Sequence, residues 1–193
     1  MDETPVPDEV PGEVTAAPPP RPPTPGLSLV RDIAISVVLA IILIVFIYQP
    51  VKVEGTSMMP GLTDQERIFI NKYEYIIDND AVRRGDLVVF HFPLDRTQSY
   101  IKRVIGVPGD TIEIADGIVL VNGSKLNEPY LIDEYRDHLS TPRELVPAND
   151  YFVLGDHRSS SSDSRMWGFV GRKDIYGKAV FIYWPLEKIG RVR

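Results

Sequence analysis

Three short stretches hold the residue types that covalent chemistry needs. The first is Gly55-Thr56-Ser57-Met58-Met59-Pro60. A serine hydroxyl is a weak nucleophile until a neighbouring base takes its proton. The chain has three histidines, His91, His138 and His157, none placed to serve, so the base must be Lys, Asp or Glu. The second stretch, Tyr100-Ile101-Lys102-Arg103-Val104-Ile105-Gly106, reads as a strand, whose alternation sends Lys102 and Arg103 to opposite faces. Full burial can lower a lysine from about 10.4 to ~5–6, and only the neutral amine accepts a proton. Arginine stays protonated and cannot do this work. Lys102 is therefore the candidate base, since Ser-Lys pairs are one variant of the serine–base arrangement. The competing reading is two solvated cations on an edge strand, and spacing alone leaves both open. The third stretch is Gly155-Asp156-His157-Arg158, four serines from Ser159 to Ser162, then Asp163-Ser164-Arg165-Met166-Trp167-Gly168. Asp163 and Arg165 can form a charge-assisted pair that fixes this loop. A serine here can hydrogen-bond and orient the lysine amine. Composition alone favours a plainer reading, a flexible serine-rich surface loop.

Elements that could position these residues follow a clear order. Residues 1–26 hold nine of the 17 prolines and five acidic residues. With so little to bury, this segment reads as a disordered tail. Residues 27–49 read as a transmembrane anchor helix. Ile33 to Tyr48 carries no charge, and extending it back to Leu27, with Arg31 snorkelling, reaches the ~20 residues that span a bilayer. A cleaved signal peptide does not fit, because the preceding region is long and no small-x-small site follows. Arg21 and Arg31 on one side balance Lys52 and Arg67 on the other, so the positive-inside rule does not orient the anchor. Residues 50–193 read as a β-rich domain. Strands are expected at Glu66–Ile70, Asp86–Phe92, Tyr151–Leu154 and Ala179–Trp184, with a short helix near Arg172–Ile175. Thr111–Ala115 and Ile118–Val121 flank Asp116-Gly117, a strong hairpin signal, and Asn122-Gly123 makes the next turn. Short strands without long helical periodicity point to coiled antiparallel or barrel-like sheets, with a smaller insertion at about 111–150.

Composition excludes several classes. There are no cysteines, which rules out a cysteine protease, a thiolate metal site and any disulfide. No histidine lies in zinc-ligand spacing, so no metal or other cofactor is expected. No dense Lys/Arg stripe appears, so nucleic acid is not an expected partner.

Taken together, the pieces resemble one family. Gly55-x-Ser57-Met58-x-Pro60 after an anchor, Arg84-Gly85-Asp86-Leu87-Val88, Lys102-Arg103-Val104-Ile105-Gly106-x-Pro108-Gly109-Asp110, and Gly155-Asp156-x-Arg158 with Ser161-x-Asp163-Ser164-Arg165 are similar to the type I signal peptidases, in the family's order. Asn127-Glu128-Pro129-Tyr130 also matches. The resemblance covers roughly residues 30–185. It implies a mainly β peptidase domain, a fold shared with self-cleaving repressor peptidases, behind one N-terminal transmembrane helix. It implies Ser57 as nucleophile, Lys102 as general base, and the Ser57 N–H as an oxyanion donor. Ser161 would orient the Lys102 amine, Asp163 and Arg165 would hold the loop, and Met58 would help line the substrate groove near the membrane. Substrates would be the signal peptides of secretory preproteins, cut after small residues at −1 and −3. The bilayer would be the other partner, with the catalytic domain on the extracytoplasmic face of the plasma membrane. Two departures stand out. His157 replaces a usual asparagine and Ser159-Ser160 a usual Asp-Asn, while Gly55 sits where some relatives carry an oxyanion-assisting serine. Two rival readings remain: a self-cleaving repressor-type peptidase, which would carry a DNA-binding module here, and an inactive anchored protein that holds signal sequences without cutting.

Overall fold

The computed structural model describes residues 25–73, 75 and 82–192. The chain divides after Ala40 into two units. Most of the expected proline-rich tail lies outside the described residues. Its last two, Pro25 and Gly26, instead open α1 (Pro25–Ile47), where a proline at the first helical position loses no hydrogen bond. The helix is 23 residues long, which at ~1.5 Å per residue is about 34 Å. Large apolar side chains of this helix, among them Val30, Ile33, Val37, Leu39, Ile42 and Val45, are exposed. Among the described residues no helix is long and apolar enough to cross a membrane, and the side chains of Leu27, Leu43, Ile44 and Phe46 fall outside that set.

Among the described residues twelve strands follow. They are β1 (Tyr48–Lys52), β2 (Arg67–Asn71), β3 (Leu87–Phe92), β4 (Asp95–Gly106), β5 (Thr111–Ala115), β6 (Ile118–Val121), β7 (Ser124–Lys125), β8 (Thr141–Leu145), β9 (Asp150–Leu154), β10 (Val170–Gly171), β11 (Ile175–Trp184) and β12 (Gly190–Arg191). A short helix, α2 (Ser164–Trp167), lies between β9 and β10. The larger sheet runs β1-β2-β11-β3-β4-β9-β10, with β12 on β11. Among the described residues no pairing joins β1 to β10, so this sheet is open rather than a closed barrel. The smaller sheet, β7-β6-β5-β8, lies wholly within residues 111–145.

The sequence chemistry explains the pattern. β3 buries Leu87 and Val89 in one cluster and Val88 and Phe90 in another, so the larger sheet carries apolar packing on both faces. A third cluster, with Ile105, Ile112, Val119 and Leu154, joins the two sheets. Asp116 and Gly117 both have positive φ, 47° and 74°, as the two-residue β5–β6 hairpin demands. Three features departed from expectation. The helix expected over 27–49 stops at Ile47, because Tyr48 and Gln49 pair with Asn71 and Ile70 in β1–β2. β4 extends back to Asp95 through five polar residues that carry no strand pattern; Ser99 and Asp95 pair with His91 and Phe92 of β3, with an irregularity between them. The expected helix near 172–175 is a single 3-10 turn, Arg172–Asp174.

Candidate active site

Ser57 sits in a turn just beyond β1. Gly55 has φ +93°, a conformation that favours glycine, and its N–H donates to Asp64 Oδ1 at 2.8 Å. The Met59 N–H closes the turn on the Thr56 carbonyl at 3.1 Å. Met58 is 2% exposed and packs with Val53, Leu62 and Ile68. This corrects the expectation for Met58: it is absent from the residues lining the cleft and acts as the core peg that holds Ser57 at the surface of it. Among the described residues no hydrogen bond engages the Ser57 N–H.

β4 brings the two cations of the second stretch to opposite faces, as alternation requires. Neither is solvated; Lys102 and Arg103 are each 4% exposed. Lys102 Nζ lies 2.6 Å from Ser57 Oγ. Burial pushes the lysine down from 10.5 to about 8; the charges of Asp163 and Asp156 oppose that fall, and Arg165 assists it. A Tyr100 ring lies 5.6 Å from Nζ. Arg103 instead meets a buried carboxylate: Nε donates to Asp156 Oδ1 at 2.8 Å and Nη2 to Oδ2 at 2.6 Å. Its third bond goes to the Gly85 carbonyl at 3.0 Å, and its guanidinium stacks 3.9 Å from the Tyr130 ring centre. Burial raises the Asp156 carboxyl, with Arg103 holding it back. A bidentate fork of this kind suits arginine and would not suit lysine.

The serine-rich loop is held by buried polar contacts. Asp163 is wholly buried, caps α2, and accepts the Gly155 N–H at 3.0 Å. Arg165 forks Asp163 through Nε and Nη2, each at 2.7 Å. The loop closes on the Ser57 turn, where the His157 N–H donates to the Ser57 carbonyl at 3.0 Å. Gly155 is required here: a Cβ would sit 2.1 Å from Ser161 Oγ and 2.6 Å from the Ser57 carbonyl oxygen. Ser161 does not meet its expectation. Its Oγ is buried and, among the described residues, makes no hydrogen bond, so the expected contact with Lys102 is not formed here. It packs on Gly155 instead. Ser162, not singled out by the sequence, lines the cleft.

The cleft itself has a volume of about 350 Å³. Val51, Val53, Ile68, Val89 and Ile101 supply apolar wall beside Ser57 and Lys102. Sequence reasoning also missed Asp156 as the partner of Arg103. The signal was present, since an arginine on the inward side of a strand needs a carboxylate. A serine hydroxyl against a buried amine of lowered pKa, at the wall of an apolar cleft in a β domain, has the chemistry that the serine-hydrolase class requires.

Comparison with known proteins narrows this class. The family model described as "Signal peptidase, peptidase S26" matches residues 27–184. A signal peptidase I of Leptolyngbya laminosa is 36% identical over 98% of this chain and 95% of its own. The signal peptidase I of Bacillus caldolyticus is 41% identical over 74% and 83% of the two chains. A solved signal peptidase I from Enterococcus faecalis is 35% identical, with a TM-score of 0.45 over 50% of this chain and 95% of that one. The chain belongs to the type I signal peptidases, serine endopeptidases of peptidase family S26.

Proposed function

We propose that this membrane-associated peptidase removes signal peptides with a Ser57–Lys102 dyad. The 2.6 Å contact between Lys102 Nζ and Ser57 Oγ, with the lysine buried and lowered to about 8, carries the reading. Neutral Lys102 takes the hydroxyl proton as Ser57 attacks the scissile carbonyl. The resulting ammonium then protonates the leaving amine, and water attacks the acyl-enzyme in the reverse sense. The Ser57 N–H, which no hydrogen bond engages among the described residues, would donate to the developing oxyanion. Asp163 and Arg165 hold the loop that backs the dyad, and Ser161 acts by packing. An extended substrate strand puts alternate side chains against the apolar wall, where small residues at −1 and −3 fit.

Lipid is the second partner. Ile33 to Tyr48 is an uncharged run, and the described apolar side chains of α1, such as Ile33, Val37, Leu39 and Ile42, are exposed, a surface that a bilayer would cover. On the larger sheet, Phe69 stacks on Tyr183 at 4.5 Å, and Trp184 at the end of β11 and Leu186 and Ile189 in the turn that follows it are exposed. Aromatic and aliphatic surface of this kind suits an interface of lipid and water. The anchor then crosses the plasma membrane once, with the β domain on the extracytoplasmic face. Nucleic acid has no part in this reading. The test is the full-length protein in lipid vesicles with a preprotein carrying Ala-x-Ala before its mature start. Cleavage at that site by the wild type, lost in Ser57→Ala, is expected. Binding without cleavage would support the inactive signal-sequence holder instead.

A further inference from the structure

The loop that touches Ser57 is held from outside. Two of its arginines reach across to acids in the segment between β7 and β8. Arg158 bonds the Glu128 carboxylate through Nη1, at 3.4 Å, and Nη2, and the Tyr130 hydroxyl donates to the same carboxylate at 2.9 Å. Arg165, having forked Asp163 with two nitrogens, bonds Asp137 Oδ2 with its third. These are desolvated pairs: side-chain exposure is 3% for Arg158, 5% for Glu128, 3% for Arg165 and 12% for Asp137. Between them the Tyr135 ring lies 4.0 Å from the His157 ring.

Both ends of this connection are fixed. On the outer end, the Leu139 N–H donates to Asp137 Oδ1 at 3.1 Å, and the Gly117 N–H donates to the Leu139 carbonyl at 2.9 Å. A Cβ on Gly117 would lie 2.0 Å from the Asp137 carbonyl oxygen, so the hairpin turn must present glycine there. On the inner end, Arg158 Nε donates to the Gly155 carbonyl at 3.0 Å and Arg165 Nη2 to the Arg158 carbonyl at 2.9 Å. Gly155 and His157 in turn press on the Ser57 carbonyl. The path from small sheet to nucleophile is therefore a chain of direct contacts.

We infer that Glu128 and Asp137 are positioning residues for the Ser57–Lys102 pair, acting through Arg158 and Arg165 on the loop that seats Ser57. The inference rests on that pair being the catalytic centre. Neither acid touches the reacting atoms. Each holds a buried cation in place, and losing one leaves the arginine to seek a new partner and shift the loop. A misplacement of about 1 Å can cost ~10²-fold in rate.

Asp137→Asn and Glu128→Gln, made in the full-length protein and assayed in vesicles on an Ala-x-Ala preprotein, test this beside the wild type. Each should lower kcat about tenfold or more while KM stays within about threefold, because the groove wall is untouched. Asp137→Glu should restore most of the rate. The charges facing Lys102 are those of Asp163, Asp156 and Arg165, beside the Tyr100 ring. With Asp137 neutralised, Arg165 is less balanced, so the midpoint of the pH–rate rise should move to lower pH. A folded Asp137→Asn protein with wild-type kcat and midpoint overturns the inference. Should that variant not fold, as judged by circular dichroism, kcat of Glu128→Gln decides in the same way. A wild type that does not cut refutes the dyad reading itself, which is a separate result.

Discussion

Replacing Lys102 with methionine should remove activity and yet stabilise the fold at neutral pH. The side chain is buried, and burial lowers its pKa from 10.5 to about 8. A tenfold change in proton affinity is worth about 1.36 kcal/mol, so the protonated amine costs roughly 3 kcal/mol in the native state below pH 8. The sign follows from proton counts. Between pH 8 and 10.5 the unfolded chain holds one more proton at this position than the native chain, so stability rises with pH across that window. The cost is fully present below pH 8 and gone above 10.5. Methionine has similar length and no charge, so its stability curve lacks this rise. The difference between the two proteins cancels all other titrating groups. It should shrink by about 2.5 kcal/mol between pH 7 and pH 10. Urea unfolding of both proteins in detergent, followed by tryptophan fluorescence, measures it. Parallel stability curves over that range would falsify the claim that burial destabilises the Lys102 ammonium.

Two further outcomes follow from the same geometry. Below pH 8, kcat/KM should rise about tenfold per pH unit and then level off, as the neutral fraction of Lys102 saturates; steady-state cleavage from about pH 5.5 to 9.5 measures this, and a flat profile counts against a titrating lysine. Gly155→Ala forces a Cβ to within 2.1 Å of Ser161 Oγ and 2.6 Å of the Ser57 carbonyl oxygen. It should cost about 1–3 kcal/mol of stability and most of the activity, read by thermal melting and cleavage; an active, equally stable variant would show that the loop has room to move.

Much of the fold was legible because its signals are local. Asp116-Gly117 and Asn122-Gly123 specify tight turns through the left-handed conformation they tolerate, and both pairs have positive φ. Runs such as Leu87–Phe92 are apolar enough to demand burial. What escaped notice had no local signal. Asp95–Ser99 is polar, and its two ends join the sheet by pairing with Phe92 and His91, which no local pattern announces. Tyr48 and Gln49 continue an apolar helix by composition, yet β2 recruits them.

The candidate site divides along the same line. Residue chemistry by itself selected Ser57 and, from two adjacent cations, Lys102, because only an amine can give up its proton near neutral pH. Alternation by itself put Lys102 and Arg103 on opposite faces. Only the tertiary structure decided that both are buried, that Asp156 neutralises one while Ser57 receives the other, and that Met58 is a core peg rather than a groove wall. The same holds for Ser161, whose hydroxyl packs on Gly155 without a bond among the described residues, and for Glu128 and Asp137, which reach the serine-rich loop from the segment between β7 and β8. The physical reason is that a pKa and an ion pair depend on desolvation and on distances of a few ångströms. Those are set by chain segments roughly 30 to 50 positions apart, and no window of sequence contains them.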